Sequence, residues 1–178
     1  MTKLLVLGLL DDGPKSGYDI QQKLSEADAE RWGGVLVGSI YHALKKLEQE
    51  KYIKLAGVEQ TGHRQKAVYQ ITEQGRIYLQ SLIQESLSSV SALYPTTLYS
   101  GLSLLEKIPR EAAFHALEMQ KQLLEKEYQA LKQGELQNEQ EQQEIPPLSK
   151  ITIENMFLIL QQQQLFVEKI LEILEDKT

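Results

Sequence analysis

The sequence predicts a mainly α-helical chain with one small β-hairpin, arranged as an N-terminal domain followed by a helical, coiled-coil-like domain. Three observations predict it. Apolar residues recur at helical spacing up to about residue 50, the period falls to two between Tyr52 and Ile71, and beyond residue 90 only helical signals remain, ending in a heptad. The boundary is placed so that 1–85 and 86–178 form the two domains.

Thr2 to Leu10 is apolar and unbroken by proline, and Asp12-Gly13-Pro14 ends it with turn chemistry, so a short buried helix is expected. Ser16 stands where an N-cap would, ahead of Tyr18, Ile20 and Leu24 at helical spacing. This second helix is expected to run about sixteen residues and to lapse at Trp32-Gly33-Gly34. Ser39 can cap a third helix, 39–50, whose apolar residues Ile40, Ala43, Leu44 and Leu47 line one face. Its other face carries Tyr41, His42, Lys45, Lys46 and Gln49. Ile53, Leu55 and Gly57-Val58 then suggest a strand, Glu59 to Gln65 a polar turn, and Ala67 to Ile71 a returning strand. Thr72 followed by Glu73 is an N-cap and first-turn acid, opening a helix through Ile77, Leu79, Leu82 and Ile83.

In the second half Pro95 and Pro109 punctuate. A long helix is expected over 110–132, with Leu117, Leu124 and Leu131 at intervals of seven. The Gln/Glu-rich stretch from Gln133 to Glu144, closed by Pro146-Pro147, reads as a frayed end and a solvated connection. The last helix, 149–175, carries Ile153, Met156, Leu160, Gln163, Val167, Ile170 and Leu174 in alternating steps of three and four, widened by Phe157, Ile159, Phe166, Leu171 and Ile173. So broad an apolar face must be covered. Two coverings are open: a flank of an intramolecular bundle, or an inter-subunit coiled coil. The second is favoured because the small N-terminal domain offers little surface to two long helices, and a buried Gln163 would fix register.

Composition narrows the function classes. The chain has 178 residues, a net charge of −6 and no cysteine, which removes disulfides, thiolate metal sites and a cysteine nucleophile. The apolar run Leu4 to Leu10 is broken by Asp11-Asp12 and lacks a cleavage site, so neither a signal peptide nor a membrane span is read there, and the cytoplasm is the expected location. His42, His63 and His115 are unpaired at helical spacing, and none of HExxH, GxSxG, GxGxxG or GxxxxGK[ST] occurs. Neither an enzyme nor a metal or cofactor is expected. The charge is uneven: residues 1–80 are net +1 and residues 81–178 net −7. An anionic ligand therefore belongs to the first half.

Three helices and a hairpin can recognise nucleic acid, since an α-helix fits the major groove and its exposed face reaches base edges. Helix 39–50 has the two faces required. The hairpin tip adds His63, Arg64 and Lys66, donors and positive charge uninterrupted by carboxylates. Trp32 before Gly33-Gly34 reads either as a wall of an effector pocket or as a packing residue.

The segments Leu7-Gly8-Leu9-Leu10, Gly13-Pro14-Lys15-Ser16-Gly17-Tyr18-Asp19-Ile20, Gly38-Ser39-Ile40-Tyr41-His42-Ala43-Leu44-Lys45-Lys46-Leu47-Glu48 and Lys66-Ala67-Val68-Tyr69-Gln70-Ile71-Thr72-Glu73-Gln74-Gly75 together resemble the PadR family of bacterial transcriptional regulators. The likeness covers about residues 4–80. The later half is similar in layout to the helical dimerisation domain of the long members. The resemblance implies a winged helix-turn-helix, a homodimer, and binding to operator DNA that usually represses transcription. It makes 39–50 the recognition helix, with Tyr41, Lys45 and Lys46 toward DNA, Tyr18 at the backbone, and Arg64 and Lys66 on the wing; Ser39 and His42 on the outward face of that helix and His63 at the hairpin tip join them as candidate DNA contacts. With a homodimer implied, the heptad residues Leu117, Leu124, Leu131, Ile153, Met156, Leu160, Val167, Ile170 and Leu174 become the candidates for dimerisation. His42 stands where the family often has proline, and Lys51 where it commonly has glycine, so Lys51 must turn left-handed or lengthen the helix. The competing reading is a protein-interaction module that does not touch DNA.

Overall fold

The computed structural model describes residues 1–61, 64–89, 94–140 and 145–175; of residues 60, 61, 64, 65 and 137–140 it describes the backbone alone. It divides into two compact units, Met1–Ala92 and Leu93–Thr178. No helix among the described residues is long and apolar enough to cross a membrane.

The first unit runs α1 (Thr2–Asp11), β1 (Lys15–Ser16), α2 (Gly17–Glu26), α3 (Ala29–Gly33), α4 (Val37–Gln49), β2 (Ile53–Thr61), β3 (Arg64–Ile71) and α5 (Glu73–Ser88). The periodic residues behave as their spacing predicts: Val6, Leu7 and Leu10 of α1, Ile20 and Leu24 of α2, and Ile40, Ala43, Leu44 and Leu47 of α4 share one buried core with Ile53, Ile71 and Leu79. Against it lies a three-stranded antiparallel sheet in the order β1-β3-β2. Its β2–β3 register slips by one between Leu55 and Gly57.

Local chemistry explains the element ends. Ser16 caps α2 through a capping box, its Oγ accepting from the Asp19 amide at 3.2 Å while the Asp19 carboxylate accepts from the Ser16 amide at 3.1 Å. Thr72 caps α5 by accepting from the Gly75 amide at 3.1 Å. Gly75 is required there, because a Cβ would run into the Tyr52 carbonyl. Lys51 takes the left-handed option, φ 64°, and closes α4 with two bonds, Lys51 N–H to the Glu48 carbonyl and Tyr52 N–H to the Leu47 carbonyl.

Four expectations are corrected. The single helix after Ser16 is two, because Asp28 sits left-handed at φ 52° and breaks the run. Asp is among the few residues that tolerate this conformation. Trp32 seals the break, its indole N–H donating to the Ala27 carbonyl at 2.7 Å, so it braces the α2–α3 turn. Second, α4 starts at Val37 and its N-cap is Leu36; Ser39 lies inside the helix, donating to the Leu36 carbonyl at 2.6 Å. Third, the strands take in most of 59–65, and the pairing of Lys15 with Tyr69 and Ser16 with Val68 adds the strand β1. Fourth, the Gln/Glu stretch does not fray at 132.

The second unit contains α6 (Thr96–Ser103), a 3-10 turn at Leu105–Lys107, α7 (Arg110–Gln140) and α8 (Pro147–Glu175). Helix α7 continues to Gln140 because Gln and Glu are good helix formers. Pro147 opens α8 rather than ending a helix, having no amide to leave unsatisfied in the first turn. The two long helices pair antiparallel: Lys121 with Glu168 at 3.1 Å, Glu125 with Gln164 at 2.9 Å and Tyr128 with Gln161 at 3.5 Å step up one helix and down the other. The heptad residues meet within the chain. Leu117, Val167 and Leu171 are buried together, and Leu124, Ile170 and Leu174 pack against them. Leu131, Ile153, Met156, Leu160 and Gln163 are half-buried.

Candidate nucleic-acid interface

Helix α4 places its two faces as its sequence requires. With Ile40, Ala43, Leu44 and Leu47 turned into the core, Tyr41, His42, Lys45 and Lys46 are all exposed on the opposite side. Tyr41 retains 48% of its surface although its ring lies against Gly17, where a Cβ would come within 2.8 Å of Tyr41 Cε1. Gly17 therefore lets the start of α2 approach the ring and set its direction. Ser39 is differently placed: half-buried, it donates to the Leu36 carbonyl and accepts from Thr2 Oγ1 at 3.4 Å. Because α4 starts two residues early, Leu36 and Val37 form its exposed leading end, Val37 at 49%. The sequence reading missed both; an extended Leu36 followed by β-branched Val37 carries no cap signal.

Tyr18, on the first turn of α2, is 54% exposed, and the ammonium of Lys66 lies over its ring, 4.3 Å from the centroid. Lys66 is on β3, paired with Glu59 near the hairpin tip, so this contact joins the hairpin to α2. Beside it the Asp19 carboxyl is held below the usual carboxylate range, first by the Ser16 hydroxyl, which donates to it at 2.7 Å, and further by the Ser16 amide and by the charges of Lys66 and Lys15. Of the other hairpin residues, Arg64 is on β3 with only its backbone described, and His63 lies outside the described residues.

The structure thus brings together Tyr18 of α2 and Lys66 of the hairpin, and aligns Tyr41, His42, Lys45 and Lys46 along α4. These groups supply hydrogen-bond donors, aromatic surface and positive charge, the means by which proteins hold phosphates and read base edges.

Comparison with known proteins agrees with this geometry. Residues 6–81 match the model of the transcriptional regulator PadR-like family. Among solved structures, the smu.1604c protein of Streptococcus mutans is 24% identical over 96% of this chain and 98% of its own, with a TM-score of 0.73. Bacillus subtilis PadR in complex with operator DNA is 22% identical, with 97% and 96% covered and a TM-score of 0.72. The Vibrio cholerae virulence activator AphA is 17% identical, with both chains fully covered and a TM-score of 0.73. At such identities the likeness shows a shared fold, a winged helix followed by C-terminal helices. No protein of curated function matches the chain.

Proposed function

We propose, from the match of residues 6–81 to the PadR-like family model, that the chain is a member of that family and a sequence-specific DNA-binding regulator, a cytoplasmic repressor acting as a homodimer on a pseudo-palindromic operator. The observation that carries the reading is α4: its inward face is fully used by the core, while Tyr41, His42, Lys45 and Lys46 stay free of it on one side. In helix-turn-helix docking the N-terminal end of the second helix enters the major groove. Val37, Tyr41 and His42 then face base edges, and Lys45 and Lys46 lie nearer the phosphates. Arg64 and Lys66, with His63, serve as the phosphate-contacting wing.

Residues 1–85 serve DNA binding and 86–178 dimerisation. The inward heptad stripe joins α7 to α8, and α8 also presents Ile151, Leu158 and Leu165, seven residues apart and all exposed. At 100° per residue this second stripe lies nearly opposite Val167 and Leu171. An apolar face of that extent calls for cover, and a second copy supplies it, while half-buried Ile153, Met156 and Leu160 belong to the inward stripe.

A second reading, a protein-interaction module that makes no DNA contact, draws on the net charge of −7 over residues 81–178. Titrating the protein against random-sequence duplex DNA at increasing salt separates the two. A phosphate-driven complex weakens linearly on a log–log plot, with a slope near −0.9 per phosphate contact. Absence of binding at low salt selects the interaction module.

A further inference from the structure

We propose that Tyr18 acts chiefly as an aromatic platform that holds the Lys66 ammonium in position for one DNA phosphate, rather than as a phosphate ligand through its own hydroxyl. The inference rests on the DNA-binding reading above and assigns Tyr18 the part of a positioning residue.

The arrangement follows from strand register. Ser16 pairs with Val68 in an antiparallel ladder. Continued two residues along each chain, that register sets Tyr18 opposite Lys66, although β1 ends at Ser16 and α2 has begun. The capping box fixes where α2 begins, so it also fixes the direction in which Tyr18 leaves the backbone. Lys66 then lies with its ammonium 4.3 Å from the Tyr18 centroid. That is well inside the range of a cation–π attraction.

A lysine normally loses rotamer freedom when it binds a phosphate, which costs up to about 2 kcal/mol of side-chain entropy. A ring beneath the ammonium removes part of that loss before DNA arrives. The π face occupies one side of the ammonium and uses none of its three N–H donors as a conventional hydrogen bond would, so the group stays available to an anion. The neighbouring charges suit the same role. Asp19 lies within electrostatic reach of Lys66, but its carboxylate is engaged by the Ser16 amide and hydroxyl. Lys15, also near Asp19, donates to the Gly13 carbonyl at 3.1 Å. The cation at the junction of α2 and the hairpin is thus held by a neutral ring.

The test measures affinity for a random-sequence duplex against salt for the wild-type full chain, Tyr18→Phe, Tyr18→Leu, Lys66→Ala and Tyr18→Leu/Lys66→Ala. Phenylalanine keeps the π face and removes the hydroxyl. Tyr18→Phe should therefore bind within about twofold of wild type and keep its salt slope. Tyr18→Leu should weaken binding about three- to tenfold, and Lys66→Ala should weaken it at least as much while flattening the slope by about 0.9. The double variant should be no weaker than Lys66→Ala alone, since the platform has nothing to hold once the ammonium is gone. A readout without DNA accompanies these: the Lys66 side-chain methylene protons should show an upfield ring-current shift in wild type and Tyr18→Phe, lost in Tyr18→Leu with the rest of the spectrum unchanged.

If Tyr18→Phe proves as weak as Tyr18→Leu, the hydroxyl is the contact and the platform is overturned. Additive losses in the double variant, or no ring-current shift in wild type, overturn it equally. In each of those cases wild type still binds duplex, which leaves the DNA-binding reading standing; a wild type that binds no duplex at low salt overturns both.

Discussion

The two units of this chain differ in how completely each closes its own core. In the first, four helices of ten or more residues and a three-stranded sheet enclose Leu7, Leu10, Ile20, Ile40, Leu47 and Ile53, each at most 2% exposed. In the second, α7 and α8 bury Leu117, Val167 and Leu171, yet α8 leaves Leu158 63% and Leu165 44% exposed on its far side. Two helices have one seam, and a helix with apolar residues on opposite faces cannot satisfy both across it. The difference teaches that the first unit encloses a core of its own, whereas the second leaves on α8 an apolar stripe that the proposed dimer would cover.

The largest effect expected from breaking this contrast is on assembly. Leu158→Glu with Leu165→Glu should turn a dimer into a monomer in sedimentation equilibrium at micromolar concentration, with the helical content of the first unit unchanged. A dimer that survives both charges would move the partner surface elsewhere. Next comes the closed core. Leu47→Ala should destabilise the first unit by about 2–5 kcal/mol, read by chemical denaturation. A loss below about 1 kcal/mol would mean that the α4 core is not tightly packed.

Smaller effects sharpen the picture of how the first unit positions its exposed face. Ser16→Ala removes the capping box and should cost about 0.5–2 kcal/mol. The same change carries a pH signature. Asp19 has its folded pKa depressed, so its contribution is present above the unfolded carboxylate value of about 3.9 and is lost as pH falls through the lower folded value. Wild type should therefore lose more stability than Ser16→Ala on acidification through that window; parallel acid curves would remove Asp19 from the account. The smallest effect is a gain. Lys51→Gly relieves a left-handed lysine and should stabilise by about 0.5–1 kcal/mol once glycine's chain entropy is set against the relief, measured as a raised Tm.

Much of this was legible in the residues, because short-range chemistry decided it. Ser16 ahead of Tyr18, Ile20 and Leu24 at helical spacing signals a capped helix, Thr72 and Glu73 signal another, and the period-two run after Tyr52 is the hairpin. The inward face of α4 followed from Ile40, Ala43, Leu44 and Leu47. What escaped depends on contacts distant in sequence or on marginal conformations. Strand β1 exists because β3 pairs with it, and two residues have no period of their own. The break at Asp28 has neither glycine nor proline to announce it and is stabilised by the Trp32 indole. The start of α4 at Val37 carries no cap, so Ser39 drew the boundary two residues late. At the candidate site, Tyr18 and Lys66 were each legible as a candidate, but their contact was not, since it depends on the register between Ser16 and Val68. The polar composition of 133–140 pointed to solvent exposure, which a helix of Gln and Glu also satisfies.

Selection of bound sequences from a random duplex pool tests the central claim most directly, because it demands DNA binding, base readout and two-fold assembly at once. The account predicts enrichment of a pseudo-palindrome whose half-site centres lie about 34 Å, or a multiple of that, apart. With His42→Ala, selection should relax at one symmetric pair of positions, with about 1–3 kcal/mol of discrimination lost. A pool that shows no enrichment over its input, or a wild-type motif without two-fold symmetry, would contradict it.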